Sequence, residues 1–375
     1  MNSSKDKLGY YLVGWKKFHN KTLALLESKK TGYDLVWVFN NDVYGKIDWT
    51  IPIHDSLENL YKKRAQQLRD QYDYLVLYFS GGADSLNILH SFINNDIFLD
   101  EIVMQVPEPA MRTFNEEDKS NKNLYSEIKY QATPVLNNVK LNPNTKIRYQ
   151  DISKPFFDLV SNDNWFDTMP LGTNISPAGI ARQISQVKEP HILELCSKGK
   201  KAVQILGVDK PQVVFKDDAY YVYFSDLNAM HSPPVDFTQR EIFNDLYTTE
   251  FFYWSRDLPE IVVKQAQIIK AYCETDINAR EIIMSSMKKH VQHLKPLLHS
   301  LIYSKEVKIK WDPEKPTSKI VRPMDQWFWE LASEKQKNNY LETIEYIKEN
   351  TFTKHMIDQD IGNGLSAHTT GFYKL

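Results

Sequence analysis

One stretch, YDYLVLYFSGGADSLNILHSF from Tyr72 to Phe92, constrains the fold more than any other part of the chain. Its run of apolar and aromatic residues ends at Phe79, and the sequence Ser-Gly-Gly-Ala-Asp-Ser follows at once. Beyond that, apolar residues recur with the period of a helix. The stretch therefore predicts a buried strand, a short loop and a helix. Two adjacent glycines lose much conformational entropy when the chain folds. We therefore infer that the loop needs a backbone without side chains, so that another group can approach it closely.

Strands and helices alternate between residues 70 and 210. Strands are expected at Tyr74–Phe79, Glu101–Val106, Lys146–Ile152 and Ala202–Leu206, and mostly helical segments at Leu86–Asn94, Asn121–Asn138 and Ala178–Lys198. Alternation at this spacing is typical of parallel strands joined by right-handed crossovers and covered by helices on both faces. The sequence therefore predicts an α/β fold with a doubly wound parallel sheet.

The chain divides into three regions by pattern. Residues 1–70 read as a small α+β part, with the β-rich runs YYLVGW and DLVWVFNND on either side of a helix closed by Gly32. Residues 71–235 form the α/β part, which includes a hairpin that turns at Lys216–Asp218. Residues 236–375 are expected to be mainly helical. The helices expected there are Leu258–Cys273, Ile277–Ser304 and Met324–Lys348.

Composition limits the classes of function. The 375 residues are 42% hydrophobic and 25% charged, as in an ordinary soluble globular protein, and the net charge is −2. No global field therefore attracts nucleic acid or an acidic membrane. The two cysteines have no metal-binding spacing, and no apolar run approaches the ~20 residues of a membrane span. We expect a cytoplasmic protein that does not bind membranes.

The loop after the first strand has the chemistry of a phosphate site. Ligands of doubly wound sheets bind beyond the carboxyl ends of the strands, where a following helix directs its positive end. Gly81 and Gly82 let the backbone approach an anion, and Ser80 and Ser85 add hydroxyl donors. The chain has neither the G-x-x-x-x-G-K-[ST] nor the G-x-G-x-x-G pattern.

SGGADS, after an apolar strand and before a helix, resembles the PP-loop of the N-type ATP pyrophosphatase superfamily, whose members share S-G-G-x-D-S. About 140 residues agree in layout with that superfamily, which implies an adenine nucleotide alpha hydrolase-like fold. The resemblance further implies that ATP binds with Mg²⁺ at the loop. Ser80, Gly81, Gly82, Ala83 and Ser85 would then hold the pyrophosphate end of ATP, and Asp84 would serve the metal.

A second candidate loop, in AVQILGVDKPQVV, follows another predicted strand. It loosely resembles the G-x-G-x-D-E loop of asparagine synthetases, which implies that Asp209 is a second Mg²⁺ ligand. Lys210 stands where that loop has glutamate. We expect its ammonium group to stabilise the departing pyrophosphate. The alternative interpretation of Gly207–Pro211 is an ordinary surface turn.

Two further segments are candidates for nucleotide contacts. In MPLGTNISPAGIARQ, Ser176 is placed to cap a helix, and that helix end with Arg182 is a candidate site for an anion. The alternative is a capped structural helix with a solvated arginine. In VMQVPEP, Met104 and Gln105 stand where superfamily members meet adenine with a main-chain edge. The alternative for Met104 is core packing.

The shared chemistry of the superfamily is adenylation, in which ATP gives AMP and pyrophosphate. We expect activation of a carboxylate or a nucleobase oxygen for attack by ammonia or an amine, as in amide-forming members. Cys196 and Cys273 lie on predicted helices and not in rim loops, which disfavours thiolation. Two alternatives stay open: modification of tRNA or DNA bases, and a non-catalytic nucleotide-binding interaction protein. The aromatic cluster at Phe251–Asp257 is expected to pack and not to stack on bases.

Overall fold

The computed structural model describes residues 4–118, 123–168, 175–187, 189–226, 245–284, 295–307, 325–351 and 368–375. Its strands are β1 Tyr10–Val13, β2 Lys16–Phe18, β3 Leu35–Val38, β4 Tyr74–Tyr78, β5 Glu101–Val106, β6 Lys146–Asp151, β7 Ala202–Leu206, β8 Gln212–Lys216, β9 Ala219–Tyr223, β10 Tyr247–Phe251 and β11 Tyr373–Lys374.

Residues 4–197 contain a 3₁₀ turn, a π-helical turn and eleven described α-helices. They are Ser4–Leu8 (3₁₀), α1 Lys21–Thr31, α2 Asn41–Tyr44, α3 Leu57–Gln71, α4 Ala83–Ile93, α5 Glu108–Arg112, α6 Tyr125–Glu127, a π-helical turn Ile128–Ala132, α7 Thr133–Asn138, α8 Ser153–Val160, α9 Trp165–Thr168, α10 Pro177–Val187 and α11 Pro190–Ser197. The later helices are α12 Glu260–Thr275, α13 Ile277–Met284, α14 Lys295–Ile302, α15 Gln326–Leu331 and α16 Glu334–Asn350.

Five strands form a parallel sheet in the order β10–β7–β4–β5–β6. The α/β architecture with a parallel central sheet is therefore confirmed. β4 has β5, the next sheet strand along the chain, on one side and the much later β7 on the other. Strand order reverses between β4 and β7, which pair with Tyr74 opposite Ala202. Sheets of this type bind ligands at such a switch point.

Helices cover both faces of the sheet. On β10, the hydroxyl group of Tyr247 donates to the carbonyl of Gln186 in α10 at 3.0 Å, whereas Glu250 pairs with Arg64 of α3 at 2.8 Å. Successive strand residues point to opposite faces, so α3 and α10 lie on opposite sides. β4 is buried from Leu75 to Tyr78, and α3 and α4 pack against it.

Several predicted elements match closely, and one strand was missed. β5 and β7 have the predicted bounds, and the predicted hairpin is β8–β9, with Asp217 and Asp218 in its turn. β10 lies in the region expected to be mainly helical, and no strand was predicted there. Its sequence YTTEF carries a glutamate, Glu250, that is buried because Arg64 neutralises it. An acidic residue in a buried strand interrupts the hydrophobic pattern from which strands are predicted.

Flanking elements complete the fold. In the N-terminal part, β2–β1–β3 form an antiparallel sheet, and α1 is capped by Asn20 and ends at Gly32 as predicted. The helix predicted over Ile277–Ser304 contains α13 and α14, and residues 285–294 between them lie outside the described residues. Among the described residues, no helix has the length and apolar character needed to cross a membrane.

Candidate functional site

Ser80–Ser85 connects the carboxyl end of β4 to the first turn of α4. Gly81 has φ +76°, and a Cβ there would lie 2.6 Å from the backbone nitrogen of Ala132 in the π-helical turn. Only glycine fits, because any side chain would meet both the left-handed strain and a fixed backbone. The first glycine of the motif is therefore a requirement of this tight turn.

Hydroxyl groups hold the loop in shape. The Ser80 Oγ accepts from the backbone N–H of Gly82 at 3.3 Å, and the Ser85 Oγ donates to the Gly82 carbonyl at 3.1 Å. Gly82 is the N-cap of α4 and no side chain caps that helix. The first N–H groups of an α-helix have no partner within the helix, and the positive end of its dipole favours an anion. The loop therefore offers an anion a preformed helix terminus.

Gly207 brings the second candidate loop directly against the first. A Cβ on Gly207 would lie 3.2 Å from the Asp84 Cβ and 3.4 Å from the Ile88 Cδ1. The close approach follows from the parallel pairing of β4 and β7, which ends both strands at the same edge of the sheet. The two candidate loops therefore lie at one rim of the sheet, as a shared site requires.

Lys210 joins the two acidic residues of these loops. Its Nζ contacts the Asp84 Oδ1 and lies 2.9 Å from the Asp209 Oδ1. Two hydrogen bonds that share one nitrogen keep the two oxygens within about 6.5 Å of each other. Asp84, Asp209 and Lys210, each named from the sequence, are therefore brought together.

The cation of this cluster is more deeply buried than the two carboxylates. The Lys210 side chain is only 7% exposed, whereas those of Asp84 and Asp209 are 26% and 31% exposed. Burial lowers the pKa of Lys210, but the charges of Asp209 and Asp84 outweigh it and leave that pKa well above its ordinary value. Lys210 is accordingly a permanent cation at neutral pH.

The donor set fits Mg²⁺ bound together with phosphate. Among the described residues, no group of three or more His, Cys, Asp and Glu side chains could hold a metal ion. Mg²⁺ is usually held by one or two carboxylates, with substrate phosphates and waters as further ligands. Asp84 and Asp209 supply two carboxylates beside the uncapped end of α4, so phosphate oxygens would complete the coordination.

Sequence reasoning missed three residues that surround Asp84. The hydroxyl group of Tyr303 donates to the Asp84 Oδ1, and that of Tyr253 donates to the Asp84 backbone carbonyl at 2.8 Å. Asn87 donates to the Tyr253 hydroxyl at 3.1 Å and accepts from the backbone N–H of Ser304. No motif marks these residues, because their roles arise only when the segment after β10 and residues 295–307 pack against α4.

The aromatic cluster at Phe251–Asp257 packs as predicted. The ring of Tyr253 is fully buried and stacks on Tyr303 with ring centroids 5.4 Å apart. Trp254 is buried against Phe39 and Phe224. Rings enclosed in this way are not accessible for stacking on a nucleobase.

The carboxyl end of β5 extends past β4 at the same rim. Pairing of β4 with β5 ends at Tyr78 opposite Val103, whereas β5 continues to Val106. The main chain of Met104 and Gln105 therefore lies beyond the end of β4, where the adenine contact is predicted. The Met104 side chain is 1% exposed and packs in the core, so only its backbone is a candidate.

The amino end of α10 matches the alternative interpretation, a capped structural helix. Ser176 caps the helix as predicted, because its Oγ accepts from Gly179 N at 3.1 Å. The carboxylate of Asp325 accepts from Ala178 N at 2.8 Å, and Ile180 N bonds to the Ser176 carbonyl. Since Pro177 has no N–H, these bonds occupy every donor of the first turn.

Arg182 keeps a place near the rim for a different reason. Its backbone carbonyl accepts from the Gln105 Nε2 at 3.2 Å, which holds α10 beside the end of β5. The Arg182 side chain is half-buried. A nucleotide contact through this side chain stays a prediction. Residues 169–174 of the same segment lie outside the described residues.

Both cysteines are buried and unlinked. Cys196 lies on α11 and Cys273 on α12, as the sequence predicts for helical positions. Burial raises the pKa of the Cys273 thiol to about 12, so that thiol is protonated at neutral pH. A protonated, buried thiol is a poor nucleophile.

No protein-family model matches the chain, and no curated protein is significantly similar to it in sequence.

Proposed function

We propose that this protein is a PP-loop enzyme, with an adenine nucleotide alpha hydrolase-like fold, that binds ATP with Mg²⁺ and cleaves it between the α and β phosphates. The observation that carries the proposal is the meeting of two loops at the switch point of the sheet. One loop contributes Ser80–Ser85 and an uncapped helix end, and the other contributes Asp209 and Lys210. A polyanion with a bound dication fits this combination of donors and carboxylates.

Each residue has a distinct part in the proposed reaction. The backbone at Gly81 and Gly82 and the hydroxyl groups of Ser80 and Ser85 bind the β and γ phosphates. Asp84 and Asp209 would hold Mg²⁺, which when bound would neutralise charge on the phosphate oxygens. Lys210 meets the negative charge that develops on pyrophosphate as it leaves.

The bond changes balance without another cofactor. A substrate oxygen forms a bond to the α phosphorus as the bond from that phosphorus to the bridging oxygen breaks. The electron pair leaves with pyrophosphate, and the substrate is left as an adenylate. An incoming nitrogen nucleophile then forms a bond to the activated carbon as the bond from that carbon to the adenylate oxygen breaks. The electron pair leaves with AMP, and the nitrogen loses a proton to solvent.

Ammonia or an amine is the proposed nucleophile, and a carboxylate or a nucleobase oxygen the proposed acceptor. The burial of Cys196 and Cys273 supports nitrogen over sulfur, because neither thiol is exposed to accept a persulfide. Two unlinked cysteines also fit a reducing compartment, so we propose a cytoplasmic location.

Incubation with α-labelled ATP, Mg²⁺ and ammonium tests the proposal. Separate reactions receive pools of carboxylic acids, nucleobases and RNA, and the Asp84→Asn variant serves as the control. We expect labelled AMP, together with unlabelled pyrophosphate, in one pool. The variant should form neither product. Release of ADP and phosphate contradicts the proposed cleavage. ATP binding with no AMP in any pool favours a non-catalytic nucleotide-binding protein, and AMP formation confined to the RNA pool favours nucleic-acid modification.

A further inference from the structure

Lys210 occupies the position between the two carboxylates that a metal ion would share. Its ammonium group contacts the Asp84 Oδ1 and lies 2.9 Å from the Asp209 Oδ1. The formal charge of the three groups is −1. An ammonium group and a dication that bind the same two oxygens would lie within a few ångströms of each other and repel strongly in a partly buried site.

Entry of a metal alone is therefore opposed by the chain itself. The metal would have to displace the Lys210 ammonium group, whose side chain is 7% exposed, from both of its partners. A buried charge that loses its partners is strongly destabilising. Nucleotide phosphates change this balance, since their oxygens can accept the hydrogen bonds that the ammonium group gives up.

We propose that Lys210 is an internal counter-ion that excludes free divalent metal from Asp84 and Asp209. The metal then binds there only together with a nucleoside triphosphate. The inference rests on the proposed function and adds the order in which that site is filled. Metal and nucleotide bind as one unit, and metal at cellular concentration does not occupy the site beforehand.

Tyr303 provides a matched comparison. Its hydroxyl group donates to the same Asp84 oxygen as Lys210 but carries no charge. The Lys210 Nζ is 5.8 Å from the centroid of the Tyr303 ring, so both groups belong to one cluster. Loss of the Tyr303 donor removes a hydrogen bond to Asp84 and leaves the counter-ion in place.

The test measures Mn²⁺ binding in the absence of nucleotide, by the loss of the electron paramagnetic resonance signal of free Mn²⁺. We expect Lys210→Met to bind Mn²⁺ at least about tenfold more tightly than the unmodified protein, which corresponds to 1.4 kcal/mol or more. Tyr303→Phe should stay within about threefold of the unmodified protein, because the opposing charge remains. Adding Asp209→Asn to Lys210→Met should abolish the gain.

Equal or weaker Mn²⁺ binding by Lys210→Met overturns the proposal, as does a gain of the same size in Tyr303→Phe. Circular dichroism and thermal unfolding establish that each variant is folded. Lys210→Gln replaces Lys210→Met if the latter does not fold, with the same expected direction.

The outcome is separable from that of the proposed function. Tighter Mn²⁺ binding by Lys210→Met in a protein that forms no AMP supports the counter-ion and contradicts the adenylating activity. AMP formation by the unmodified protein, with unchanged Mn²⁺ affinity in the variant, supports the activity and contradicts the counter-ion.

Discussion

Tyr303 donates a hydrogen bond to the carboxylate of Asp84 across 219 positions of sequence. The contact joins a loop next to the central sheet to the segment that follows α14. Burial and the charge of Asp84 raise the pKa of Tyr303 well above its ordinary value, so the hydroxyl group keeps its proton and remains a donor. The candidate site therefore depends on the C-terminal region as well as on the sheet.

Replacement of Asp84 by asparagine is expected to abolish AMP formation and to leave the fold intact. The metal needs the negative charge, whereas the asparagine side chain keeps an oxygen that can accept hydrogen bonds from Lys210 and Tyr303. Rates of AMP release and thermal unfolding curves provide the two measurements. Glu342→Gln, at an exposed position on α16, is the matched charge control and should retain activity. Normal turnover by Asp84→Asn would show that this carboxylate does not serve a metal.

Removal of the Lys210 ammonium group should slow turnover more than it weakens ATP binding. Lys210→Ala is expected to lower kcat by about 10²–10³, because the charge on departing pyrophosphate develops only in the transition state. The Kd of Mg·ATP should change by no more than about fivefold, because the lost contact between Lys210 and phosphate is offset by easier entry of the metal. A large rise in Kd with unchanged kcat would assign Lys210 to ground-state binding.

Alanine at position 81 should be much more harmful than alanine at another glycine with the same backbone conformation. Gly199 has φ +79° and open space around a built Cβ, so Gly199→Ala should cost about 1–2 kcal/mol of unfolding free energy through strain alone. Gly81→Ala adds a clash 2.6 Å from the Ala132 nitrogen and should also weaken ATP binding. Urea unfolding and ATP titration of both variants measure the difference. Equal destabilisation by the two would show that the contact with Ala132 yields easily.

Low pH should lower the free energy of unfolding, partly through protonation of Glu101. Burial raises its pKa, but hydrogen bonds from His191 and Arg148 outweigh burial and lower that pKa to about 2. Because the folded-state pKa is depressed, the stabilisation is present above about pH 4.5 and is lost as the pH falls toward 2. Glu101→Gln should lose about 2 kcal/mol of unfolding free energy at pH 7, and less near pH 2.

Urea unfolding at several pH values measures that dependence. Glu194→Gln is the control, since it removes an exposed carboxylate that pairs with Lys198. The control should leave stability nearly unchanged at every pH, because an exposed ion pair contributes little. A loss in Glu101→Gln that does not vary with pH would mean that packing, and not the charge, accounts for it.

The sequence predicted the parts of the site that local pattern determines. Apolar runs located β5 and β7 at their observed bounds, and the strand–glycine–helix pattern located the loop at Ser80–Ser85. Parallel pairing of β4 with β7 then brought Asp209 and Lys210 to Asp84, because parallel strands end at one edge. These inferences succeed since each rests on period, turn chemistry or the rules of sheet connection.

Contacts between distant segments could not be predicted from pattern. Asp325 caps α10 from 147 residues away and occupies a backbone donor that the sequence left open to an anion. β10 was not predicted because it contains the charged residue Glu250. The residue that neutralises it, Arg64, lies 186 residues earlier in the chain. Hydrophobic periodicity does not reveal which distant residue an acid or a tyrosine will contact. Only the tertiary structure therefore identifies these capping and ion-pair partners.

The pairing of β4 with β7 has a consequence for biosynthesis. Asp84 and Lys210 are 126 residues apart, and the segment between them contributes β5, β6 and the helices that cover them. Contacts of such long range form slowly, because loop closure precedes any stabilisation from pairing. During synthesis, the glycine loop leaves the ribosome long before its partners Lys210 and Tyr303. A nascent chain is therefore expected to gain affinity for nucleotide only after Tyr303 has been synthesised, when bound ATP would stabilise the assembled site by mass action.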